Sequence, residues 1–364
     1  MKNRQFVYKI ILFTMTTLCT VVVDAQNKPK NFDPLAPTSS AADALCGQLH
    51  TVTICTMNLD STRHFYEKGM GMTVVGPIKT SKKANKTQRQ LWDIPADIDW
   101  DMYVLSRPAV PNLIQIRLLV LKKETPFIHN SYDSRELGPF SIGFPNAAQE
   151  KLDTNLRKLG YTTMAPLQVG NLPRPDGTTY RYWETIYRAP DFVHCVGIQR
   201  GDGMPQLSPE DPLSKLGGPG YSAQVISGAS DENLAFYTDV LGLELRSDRQ
   251  WKTSPGSALG VDEGIPFRFS LVYAKGASFG HCLFLDFKDG KQIPLKVAPK
   301  VPNRGIGMWT FSTKNIQKVY ENAVAKKIKI IQKPTPFDSK ELGKGQVMTM
   351  LAPNGFLIEI FQNP

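Results

Sequence analysis

Histidine and cysteine are scarce in this 364-residue chain, five of each, and the cysteine spacings fit neither a zinc site nor a redox pair. No Ser-His-Asp order, phosphate-cradling glycine loop or paired-cysteine metal motif is present, which removes the commonest alternative enzyme classes. Nucleic-acid-binding motifs are missing too. The formal charge is +10, but Lys2, Arg4 and Lys9 fall in a segment expected to be cut away, and the remaining basic residues are scattered apart from short clusters such as Lys79 to Arg89. A solvated basic surface follows, not a nucleic-acid partner. A long apolar run is also lacking. Ile10 to Val23 is broken by Thr14, Thr16, Thr17 and Thr20, whereas a membrane-spanning helix needs about 20 apolar residues.

That short run, the basic residues before it, and small residues at Val23 and Ala25 have the order of a secretory signal, with cleavage expected after Ala25. Cys19 lacks the small residue before it that a lipoprotein signal carries. The mature chain is therefore expected to be secreted or periplasmic, with no membrane span. In that setting Cys46, Cys55, Cys195 and Cys282 are either disulfide partners or buried thiols in strands, and sequence leaves both readings open.

What is present is a folded chain, 41% hydrophobic and 21% charged, long enough for two domains with cores of their own. It is organised around a repeat. Phe65, Tyr66 and Gly71 recur 171 residues downstream as Phe236, Tyr237 and Gly242. In both copies a strand-like run and a polar start precede about ten residues of helix, and the glycine sits where a left-handed helix end is open to it at little cost. Phe-Tyr and Gly identify the unit and carry no chemistry.

Residues 26–47 read as a flexible leader. The first domain is placed at 48–200, with modules at about 48–122 and 138–200. The second of these holds the helix face Leu152, Leu156, Leu159. Residues 201–219, rich in Gly and Pro, read as a linker. The second domain is placed at 220–364, with modules at about 220–290 and 304–364. Its last helix puts Ile316, Val319, Tyr320, Ala323 and Val324 on one stripe, and Ala352-Pro353-Asn354-Gly355 turns into the final strand.

Four strand-helix-strands units in two pairs, the Phe-Tyr…Leu-Gly signature and a Pro-Asn-Gly turn before Leu357-Ile358-Glu359-Ile360 resemble the vicinal oxygen chelate superfamily. That group includes glyoxalase I, the extradiol dioxygenases, the fosfomycin-resistance enzymes and the bleomycin-resistance proteins. The resemblance implies an α+β fold of four βαβββ modules, paired into two glyoxalase-like domains with cupped mixed sheets. It also implies ligands for a divalent ion on the first and last strand of each module. Carried over residue by residue, it points in the first domain to a three-ligand set of His50, Gln115 and His194, and so to one divalent ion there. Ser141, on the first strand of the second module, is a poor ligand. In the second domain the matching positions are Tyr221, about Phe284, Met308 and Glu359. This is a ligand pocket rather than a metal site, with Trp309 and Phe311 adding aromatic character.

These residues lead to an exported enzyme acting on a small, largely apolar organic molecule by an isomerisation, lyase step or ring opening in the first-domain cup. His50 acts there as metal ligand or general base. Glu184 closes the alternating aromatic and acidic strand of Tyr180, Tyr182 and Trp183, which also reads as core packing on one face and solvent on the other. It is carried with His50 as a candidate catalytic residue. The alternative is a binding or sequestering protein with no turnover. His64, His129 and His281 match no family role.

Overall fold

The computed structural model describes residues 39–107, 114–173, 177–201, 218–227 and 230–364. The signal segment, most of the leader and most of the expected linker lie outside the described residues. Module one comprises β1 (Cys46–Thr56), α1 (Leu59–Arg63, continued by the wide turn His64–Gly69), β2 (Thr73–Val75), α2 (Lys82–Leu91), β3 (Trp100–Ser106) and β4 (Gln115–Leu121). Module two comprises β5 (Gly138–Pro145), α3 (Gln149–Lys158), β6 (Gln168–Pro173), β7 (Thr179–Arg188) and β8 (His194–Arg200). Module three comprises β9 (Tyr221–Val225), α4 (Ser230–Ala235, continued by Phe236–Val240), β10 (Glu244–Lys252), β11 (Pro266–Tyr273) and β12 (His281–Phe287). Module four comprises β13 (Gly305–Thr313), α5 (Ile316–Ala325), β14 (Ile330–Ser339), β15 (Gly343–Leu351) and β16 (Leu357–Gln362).

The repeat read from the sequence is a repeat in space. Gly71 and Gly242 have φ of +68° and +69°, the left-handed region that an L side chain enters only at a cost. In both copies the Phe and Tyr rings meet edge to face at 5.0 Å. The residue after each glycine donates back to the tyrosine carbonyl, Met72 to Tyr66 at 2.9 Å and Leu243 to Tyr237 at 3.1 Å. In α3, Leu152 and Leu156 are buried. Asn315 caps α5 by accepting from the Lys318 N–H. Ile316, Val319 and Ala323 are buried as the spacing requires, but Val324 stays 52% exposed, because the apolar stripe of α5 is narrower than the five positions suggest.

Two eight-stranded mixed sheets result, with strand orders β14-β15-β16-β13-β1-β4-β3-β2 and β10-β11-β12-β9-β5-β8-β7-β6. Each combines two modules across an antiparallel seam, β1 with β13 and β5 with β9. Module one therefore shares its sheet with module four, and module two with module three, where sequence order had suggested one with two and three with four. Two long connections make the exchange. Residues 122–137 carry the chain from the first sheet to the second and 288–304 carry it back. They run side by side, bridged at Phe127 with Arg304 and at Glu136 with Ile293.

Helices and the convex faces of both sheets enclose the central core, which holds Phe65, Tyr66, Phe236, Tyr237, Trp309 and Phe311. Trp309 and Phe311 thus point away from the cup, because neighbouring residues of a strand face opposite sides and Met308 takes the cup side. Phe284 likewise faces this core. All four described cysteines are free and buried.

Candidate functional site

The first sheet's cup is filled. On its floor, at the β1/β4 and β13/β16 pairs, lie Thr53 beside Arg117 and Thr310 beside Glu359. Arg117 is wholly buried. Its Nε donates to Glu341 at 2.7 Å, its Nη2 to Glu359 at 2.9 Å and its Nη1 to Thr53 Oγ1 at 3.2 Å. Glu359 accepts further from Trp92 Nε1 at 2.6 Å and from Thr310 Oγ1 at 2.9 Å. The Trp92 ring lies 5.1 Å from the guanidinium, a cation–π contact. Burial alone would weaken the hold of Arg117 on its proton, but Glu341 and Glu359 more than reverse that. Burial also holds the Glu341 carboxyl above its usual range. Above this network α2 and the segment after it lower Leu91, Trp92, Ile94 and Ile98 onto Met308, Leu357 and Phe361. The basic stretch Lys79 to Arg89 thus leads into the residues that plug the cup, Leu91 to Ile98.

His50 stands at this cup's rim. The β1/β13 register slips between Leu49 and Thr51, and such a bulge re-aims the extra side chain. His50 Nδ1 lies 2.7 Å from Thr51 Oγ1, and its ring meets Phe361 edge-on at 5.0 Å. Burial, reinforced by the charge of Arg117, lowers its pKa to about 4, so the imidazole is neutral near pH 7. Gln115 pairs with Thr51 on β4 and is half-buried. Met308 is wholly buried opposite Leu357.

The second sheet's cup is open, a cavity of about 420 Å³ walled largely by apolar and aromatic side chains of β5 to β12, with Arg200, Arg249 and Lys252 among the lining residues. Its aromatic floor depends on two glycines. A Cβ on Gly143 would lie 1.9 Å from the Tyr221 ring, and one on Gly170 2.8 Å from that of Tyr182. Tyr221 stacks on His281 at 4.9 Å. Burial, with the charges of Arg200 and Arg246, lowers the His281 pKa to about 3. Tyr180, Tyr182 and Glu184 share one face of β7 and line the cavity. Burial raises the Glu184 carboxyl to about 7, the charge of Arg200 offsetting only part of the effect. Across the rim, Gln168 on β6 donates to Ser254 Oγ at 2.8 Å and accepts from the Ala258 N–H at 3.0 Å. These bonds tie the β10–β11 loop over the cavity.

His194 pairs with Ser141 on this second sheet, stacks on Phe140 at 4.3 Å and sits 3.1 Å from the Tyr132 carbonyl through Nε2. It therefore lies on a different sheet from His50 and Gln115, and the three-ligand set is not assembled. The grouping of Tyr221, Met308 and Glu359 also divides, with Tyr221 in the open cup and the other two in the filled one. Arg117 went unread, although a lone charge inside the apolar run 113–121 is the mark of a buried ion pair. His129 joins Glu136 at 2.9 Å and the Pro139 carbonyl at 2.7 Å, holding the inter-module connection.

Residues 222–360 match the model of the Glyoxalase/Bleomycin resistance protein/Dioxygenase superfamily. Those residues belong to that superfamily. The vicinal oxygen chelate fold extends over both sheets in tandem form. Glyoxalase I from Zea mays superposes with a TM-score of 0.55 at 14% identity, over 86% of this chain and 92% of that one. A putative dioxygenase from Bacillus subtilis gives 0.51 at 12% identity, over 89% and 87%. At these identities the likeness is one of fold. No curated protein matches the chain in sequence.

The vicinal oxygen chelate resemblance implies a divalent ion, and the residues at the floor of either cup do not fit one. In the first, the guanidinium of Arg117 already occupies both carboxylates. In the second, the strand positions carry Ser141, Val196, Ala223 and Leu283, with His194 beside Ser141; one hydroxyl and one imidazole, the latter turned to the Tyr132 carbonyl, do not make a cation site. Among the described residues no three His, Cys, Asp or Glu side chains converge as a cation site.

Proposed function

We propose that this vicinal oxygen chelate protein works through the cup of its second sheet, where it takes a small, largely apolar organic molecule and acts on it by acid–base chemistry at Glu184. The observation that carries this reading is a carboxyl group raised to about 7 on the wall of a largely apolar cavity. Such a group is divided between acid and base at neutral pH, which suits it to remove a proton from one atom of a substrate and return it to another. An isomerisation needs both transfers. A lyase step needs the first, with departure of a leaving group. The reading moves the site from the cup of His50, which is filled, to that of Glu184, which is open. Export stays part of the proposal, resting on the signal-like order of the first 25 residues.

The test is turnover across a panel of lipophilic carbonyl compounds by wild type and Glu184→Gln, with binding followed separately. Loss of turnover with binding retained supports an enzyme. Binding without turnover in the wild type supports the sequestering alternative, which the lack of cation ligands in this cup favours. No binding by the wild type sinks both.

A further inference from the structure

Ser141 lies in the β5 bulge with Phe140, where the register against β9 slips between Pro139 and Ser141. It lines the second cup and is 1% exposed, yet its hydroxyl has no hydrogen-bond partner among the described residues. Its own carbonyl is already taken by Ser222 Oγ at 2.7 Å. A buried hydroxyl without a partner is disfavoured. The cavity walls beside Ser141 are Phe140, Val196, Ala223 and Leu283, and the nearest polar atom in like case is the buried, unpartnered Nδ1 of His194 on the paired strand.

Resting on the reading of this cup as the ligand site, we infer that Ser141 is its anchoring hydroxyl. The ligand is then an elongated, largely apolar molecule that presents an oxygen to Ser141 at the end remote from Glu184. The length follows from strand register. Ser141 pairs with His194 on β8, and His194 with Arg188 on β7. Glu184 lies four residues further along β7, on the order of 13 Å along the strands and about 10 Å across two strand spacings, so about 16 Å in all. A ligand that reaches both groups spans that distance with hydrocarbon, in keeping with the aromatic and aliphatic walls between them. An oxygen at the Ser141 end accepts the hydroxyl proton in a hydrogen bond that none of the described residues makes.

The experiment measures equilibrium binding of 2-undecanone and of undecane, equal in length and differing in one carbonyl oxygen on the second carbon, to wild type, Ser141→Ala and Ser141→Thr. Ala223→Phe and the milder Ala223→Leu report whether a probe sits in the cup. The ketone-to-undecane affinity ratio of the wild type is expected to exceed that of Ser141→Ala by about threefold to tenfold, the yield of one hydrogen bond, the desolvation of the ketone being common to both proteins. Undecane binds the two alike, and Ser141→Thr keeps the wild-type ratio. 2-Undecanone also shifts the Glu184 titration, whereas 2-pentanone, too short to reach it from Ser141, does not. If Ser141→Ala keeps the wild-type ketone-to-undecane ratio while Ala223→Phe or Ala223→Leu abolishes binding, the anchor is refuted and the cup stands. If neither probe binds, or the Ala223 variants leave binding untouched, the cup reading fails and the anchor with it.

Discussion

Replacing Glu184 by Gln should make the protein more stable and inactive at once. The folded protein holds the Glu184 proton up to about pH 7, whereas the unfolded chain releases it near 4.5. Between those values the native state binds more protons than the unfolded one, so stability falls as pH rises from 4.5 to 7 and is level above 7. A shift from 4.5 to about 7 corresponds to about 3 kcal/mol at full effect. Because Glu184 is partly open to the cup, a penalty of about 1 to 3 kcal/mol at pH 8 is expected. Glutamine has nearly the same shape and no charge, so Glu184→Gln removes the penalty. Urea unfolding at several pH values measures it: the variant should exceed wild type by that amount at pH 8 and match it at pH 4.5. A gain in stability with a loss of activity is what a strained functional group gives. Parallel stability curves for the two proteins would refute the raised carboxyl and the role assigned to it.

Arg117→Met leaves Glu341 and Glu359 buried without their cation, and about 3 to 5 kcal/mol of stability should be lost in urea unfolding, with ligand binding in the second cup retained. Gly143→Ala drives a methyl into the Tyr221 ring, 1.9 Å away; an overpacking cost of about 1 to 3 kcal/mol and weakened probe binding are expected in the same titrations. Burial lowers the pKa of His194 to about 4 and of His281 to about 3, against about 6.5 unfolded. Their contribution is complete above pH 6.5 and lost as pH falls toward 4. For His194 this is about 3 kcal/mol, which His194→Phe should abolish in the acid limb of the stability profile.

The repeat was legible because its cause is local: Gly71 and Gly242 must turn left-handed after a helix, and Phe-Tyr must lie against a sheet wherever the helix ends up. The pairing of modules was not legible. An offset of 171 residues relates module one to module three whichever partner each takes, and the partner is chosen by connections whose sequence carries no period. His194 was grouped with His50 for that reason alone. His50 itself is aimed by a bulge that no pattern announces. Glu184 was visible as the end of an i, i+2, i+4 series with Tyr180 and Tyr182, but alternation gives faces without saying which is concave. The same ambiguity put Trp309 and Phe311 toward a cup when Met308 had that side.

The central claim is that ligand is held in the cup of the second sheet and not beside His50. Binding of 2-undecanone to Ala223→Phe and to His50→Gln, in proteins shown by urea unfolding to be folded, tests it directly. The ring introduced at Ala223 should abolish binding, and His50→Gln should leave it within about twofold of wild type. Full binding by Ala223→Phe together with its loss in His50→Gln would place the site in the first cup and contradict the account.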